Sequence, residues 1–81
     1  MNFNDRRMLD VLPGRIAALE AQITRLNAVL ADPDLYARDP ARFGATTDAL
    51  AAARDGLAAA EEQWLRLEML REEIEAAEPR S

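Results

Sequence analysis

Any chemistry in this chain must come from carboxylate, guanidinium and hydroxyl groups. Its 81 residues hold ten arginines and fifteen aspartates or glutamates, with no lysine, histidine or cysteine. Without imidazole or thiolate there is no Cys–His or Ser–His nucleophile pair, no soft-ligand zinc site and no disulfide. Seven glutamates fall between residues 61 and 78, against only Arg66 and Arg71. Paired carboxylates do acid–base work where a pocket moves one of their pKa values. Along an open helix they read instead as a solvated face. No loop has the oxygen-rich calcium pattern, and there is no glycine-rich phosphate loop with its lysine. The sequence is read as carrying no catalytic residue, no cofactor and no metal of its own.

The arginines leave one kind of chemistry open, contact with phosphate or with a base. Arg6, Arg7 and Arg15 give residues 1–15 a slight positive excess over Asp5 and Asp10. Around residues 36–42, Tyr36, Arg38 and Arg42 combine a ring with two guanidinium groups, a set suited to RNA or protein contact. Asp32, Asp34 and Asp39 weaken that patch electrostatically and act first as helix caps. Net charge of −5 excludes a uniformly basic nucleic-acid binder but leaves a local basic patch possible.

These side chains must be positioned by helices. Hydrophobic residues make up 49% of the chain and aromatics only 5%, so strand-formers are scarce. A chain of this length forms one domain, with a core limited by its large surface. Leu12, Ile16, Leu19, Ile23, Leu26 and Leu30 are spaced alternately four and three apart, the seam of a coiled coil. Asn2 and Asn4 are N-cap candidates, and Met8 and Leu9 carry the stripe backwards. The reading is a leading helical segment over 1–12 that bends near Pro13 into a first arm over 13–31. Two Asp-Pro pairs, Asp32-Pro33 and Asp39-Pro40, predict a tip over 32–39 with a short helical turn. The second arm is expected over 40–77 with a tail at 78–81, because Pro79 stops it. Phe43, Leu50, Leu57 and Trp64 repeat every seven residues on it, with Thr46, Ala53, Ala60, Leu67 and Ile74 in the alternate position. Gly44 and Gly56 fall off this seam.

The fold class is therefore all-α, a two-stranded antiparallel coiled-coil hairpin with a short N-terminal helical extension. If Leu30 faces Thr46, paired residue numbers add to 76. Leu19 then meets Leu57, Leu12 meets Trp64 as the largest core residue, and Asp5 meets Arg71, the one charge on the second arm's seam. No stretch approaches the roughly 20 apolar residues of a membrane span, and no signal segment opens the chain, so no membrane contact and a cytoplasmic location are expected. Met1, just ahead of a helix-like segment, reads as the start of a domain excised from a longer protein.

Three runs carry a resemblance. They are Leu12-Pro13-x-Arg15-Ile16-x-x-Leu19-Glu20, Asp32-Pro33-Asp34-Leu35-Tyr36-x-Arg38-Asp39-Pro40 and Glu61-Glu62-x-Trp64-Leu65-x-Leu67-Glu68. Together they resemble the C-terminal domain of the Uup branch of the ABC-F ATPases, soluble proteins with two ATP-binding cassettes and no membrane domain. Phe3-Asn4-Asp5-Arg6-Arg7-Met8-Leu9 sits where that family has a charged helix opening the domain. The resemblance implies a coiled coil after the second cassette, with ATP and magnesium held by the parent's cassettes. It also implies nucleic acid, DNA or the ribosome, as partner, coupled to those cassettes. Two departures are plain: the family's opening segment is often lysine-rich where this chain has Arg6 and Arg7, and the overall charge here is acidic. The alternative reading is an oligomerisation or partner-binding coiled coil, with self-association through Leu65, Met69 and Leu70 beside the seam.

Overall fold

The computed structural model describes residues 1–77; the expected tail at 78–81 lies outside the described residues. Three helices follow one another, α1 (Phe3–Leu30), α2 (Leu35–Arg38) and α3 (Pro40–Ala77). The two long helices pack together as a hairpin, and α2 sits at its closed end against α3. Among the described residues there is no strand.

Each boundary has a local cause. Asn2 caps α1, its side-chain oxygen accepting from the Asp5 amide at 2.8 Å. That satisfies one of the four free amides of a first helical turn, with the Asp5 carboxylate favourably placed near the positive end of the helix. At the tip, Asp32 folds its carboxylate back onto the Asp34 amide (2.9 Å), and its carbonyl accepts from Leu35 (3.2 Å). Asp39 opens α3: its non-helical backbone stops α2, and its side chain accepts from the Arg42 amide at 3.1 Å, with Pro40 in the first helical position.

The boundary expected at residues 12 and 13 falls within a single element. α1 runs unbroken through Pro13, so the leading segment and the first arm are one 28-residue helix. Pro13 removes the donor that the Leu9 carbonyl would meet, yet the helix continues, with Pro13 and Gly14 exposed. On the N-terminal side of the proline, Met8 and Leu9 pack against the core cluster.

Every apolar seam position of α3 is covered to some degree. Thr46, Leu50, Ala53, Ala60 and Leu67 are buried, while Phe43, Leu57, Trp64 and Ile74 are half-buried. On α1 only Leu12 is buried; Ile16, Leu19, Ile23, Leu26 and Leu30 are half-buried. A helix with one partner is covered on one side only, so most seam residues keep an edge in water. Leu12, Ala60 and Leu67 form a core cluster flanked by Met8, Leu9, Ile16, Leu19 and Trp64. A Cβ placed on Gly56 would stand 3.5 and 3.8 Å from the two Leu19 methyls. Leu19 thus lies within one residue of its expected partner Leu57, and a heptad slip would have brought Leu50 or Trp64 there. Gly56, expected off the seam, flanks it.

Two further expectations are corrected. Trp64 is half-buried at the rim rather than the largest core residue, since its ring is too wide for a two-helix seam and the fully covered sites go to Leu12 and Leu35. Arg71 pairs with Glu68, one turn back on α3, and no Asp5–Arg71 ion pair forms. A partner three residues away on the same helix is reached without ordering a second element.

Candidate nucleic-acid interface

The tip is the most organised of the charged regions. Leu35 is 1% exposed and anchors α2 beneath the bend. The next residue, Tyr36, faces outward at 66% exposure and meets Phe43 of α3 edge-on, ring centres 5.2 Å apart at 87°. Such a T-shaped contact fixes the tyrosine while leaving much of its ring in solvent. Arg38 donates to the second oxygen of Asp32 at 2.7 Å, so both oxygens of this carboxylate are engaged. The Asp34 amide first, and the Arg38 guanidinium second, hold the Asp32 carboxyl below its usual range, with the Arg42 charge adding to them. Arg38 remains 58% exposed despite the pair. The arrangement can offer a ring face for stacking and guanidinium groups for phosphate or base edges.

The expected cluster of Arg6, Arg7 and Arg15 is not brought together. All three are exposed on α1. At 100° per residue, Arg6 and Arg15 stand about 180° apart around the helix and roughly 13 Å apart along it. Arg6 instead lines a groove at the open end of the hairpin together with Leu9, Asp10, Arg71 and Glu75. The glutamates of α3 beyond residue 60 lie along a largely exposed face; Glu68, which takes Arg71, is half-buried.

Leu35 is the site residue that the seam pattern missed. Its signal was present, a lone large apolar residue inside a polar turn, but heptad spacing gives no weight to a position outside the arms. Among the described residues no helix is long and apolar enough to cross a membrane, and no group of three acidic side chains is gathered to hold a metal ion.

What these features define is an all-α helical hairpin with a charged, aromatic tip. Residues 1–69 match the ABC transporter C-terminal domain family, and the chain belongs to that family. It is an accessory domain of an ABC protein. No curated protein and no solved structure matches the chain.

Proposed function

We propose that this hairpin is the non-catalytic C-terminal domain of a Uup-type ABC-F ATPase, which touches nucleic acid through its tip and couples that contact to the ATP-binding cassettes of the same protein. The observation that carries the reading is Tyr36, an exposed ring braced by Phe43, on a tip that also carries the exposed Arg38 and Arg42. The family match and the three runs of residues resembling the Uup branch support the parentage. ATP and magnesium belong to the cassettes in this reading, and the domain works in the cytoplasm.

Binding by the isolated domain is weak, because few arginines release counterions and three aspartates stand beside those at the tip. Fluorescence anisotropy with a labelled single-stranded oligonucleotide should give a shallow dependence of log affinity on log salt, with a slope on the order of −2 to −4. Tyr36→Ala with Arg42→Ala should abolish binding, while Arg6→Ala, Arg7→Ala and Arg15→Ala together weaken it only slightly. The converse result would move the interface to the opening of α1. In the parent protein, nucleic acid should change the ATPase rate of the wild type but not that of the tip variant.

A further inference from the structure

A shallow groove between α1 and α3 and a second one on α3 share Glu62 and Leu65 and so adjoin as a strip along the C-terminal half of α3. Its apolar floor is Ile16, Trp64, Leu65, Met69 and Leu70. Leu65 and Met69 are each 55% exposed and stand about 160° around the helix from the buried Leu67, on the side that α1 does not cover. Glu20, Glu61, Glu62 and Glu73 rim the strip, against the single cation Arg66. We propose that this strip is a docking site for a helix of a partner protein whose apolar stripe is flanked by arginine or lysine.

Charge selects that occupant. A second copy of this chain would bring the same four carboxylates face to face around a closing apolar contact, where like charges are costly. The phosphates of nucleic acid would meet the same repulsion. A basic amphipathic helix buries the apolar floor and neutralises the rim together. The length fits as well: Glu61 to Glu73 spans about 18 Å, enough for three turns of a helix and its anchors at i, i+3 or i+4, and i+7. The strip lies away from the tip, so the proposal is independent of nucleic-acid contact there.

Trp64 is the only tryptophan and lines the strip, so its emission reports occupancy directly. The probe is a synthetic helix of about 18 residues, or five turns, with leucines on one face and lysines flanking them; the control is the same composition scrambled. The patterned peptide should bind with a blue shift of Trp64 emission, and affinity should fall as salt screens the rim. Leu65→Ser with Met69→Ser should weaken binding about tenfold or more while leaving the circular-dichroism melt unchanged, since neither residue is buried. Glu61→Gln with Glu62→Gln should flatten the salt dependence. Equal binding of the scrambled peptide, an unchanged affinity in the Leu65/Met69 variant, or no binding at all would overturn the proposal. So would a dimer seen by sedimentation that the same serine pair dissolves, because the occupant would then be a second copy.

Discussion

Leu12 and Leu19 occupy the same kind of seam position on α1, yet the structure treats them differently. Leu12 is 1% exposed among Ala60, Leu67 and Trp64, whereas Leu19 is half-buried beside the bare backbone of Gly56. Truncating Leu12 leaves a cavity closed on all sides; truncating Leu19 opens a notch that water can fill. Leu12→Ala should therefore cost about 2–5 kcal/mol, the range for enclosed leucines, and Leu19→Ala clearly less. Urea melts of the two variants check this, and equal losses would mean that the seam is uniformly packed. The pattern of fours and threes marked both residues as seam. It carries no information on which one the partner helix covers fully, because that depends on the side chains opposite.

At the scale of elements, the tip depends on one carboxylate. Asp32 accepts from the Asp34 amide and from Arg38, and both hold its pKa below the ordinary value. A carboxylate whose pKa is lowered by folding adds stability that is present in full above its unfolded pKa and lost as pH falls through its folded one. Asp32→Asn keeps an acceptor for the amide but removes the charge that Arg38 meets. The wild type should therefore exceed this variant in melting temperature near neutrality, and the gap should close at pH values below the normal aspartate range. A gap that persists in acid would mean that the ion pair contributes nothing to the difference. The cap at Asp39 was legible in the sequence, with Pro40 in the first helical position, whereas Asp32 makes a turn ahead of α2, which begins two residues after Pro33 at Leu35. Helix on both sides of Pro13 was legible too, but not that the two segments are a single run of 28 residues, since the effect of a proline depends on the packing on both sides of it. The Asp5–Arg71 pair failed for a similar reason: register placed the two opposite each other, but Glu68 lies nearer to Arg71 along its own helix.

Taken as a whole, the hairpin is closed unequally at its two ends. The tip end holds Leu35, Thr46, Leu50 and Ala53 buried, the Asp32 turn, the Asp39 cap, the Arg38–Asp32 pair and the Tyr36–Phe43 contact. At the open end, Met8, Leu9 and Ile74 are only half-buried, and among the described residues the one ion pair there, Arg71 with Glu68, lies within α3. Glu72, Glu73 and Glu75 also crowd the C-terminal end of α3, where the helix dipole disfavours negative charge. No described residue before Leu12 or after Leu67 is buried, so local opening should begin at the open end and travel towards the bend. Native-state hydrogen exchange should find amides at 5–10 and 70–76 exchanging well before those at 22–29 and 47–54, with Leu12 marking the border between the two. Equal protection along both arms would show that the hairpin opens as a single unit. The gradient matters for either interface, because it keeps Tyr36 on the firm end of the rod and leaves the acidic strip of α3 near the yielding one. A basic helix docking on that strip should raise protection at 61–73 and leave the tip amides unchanged.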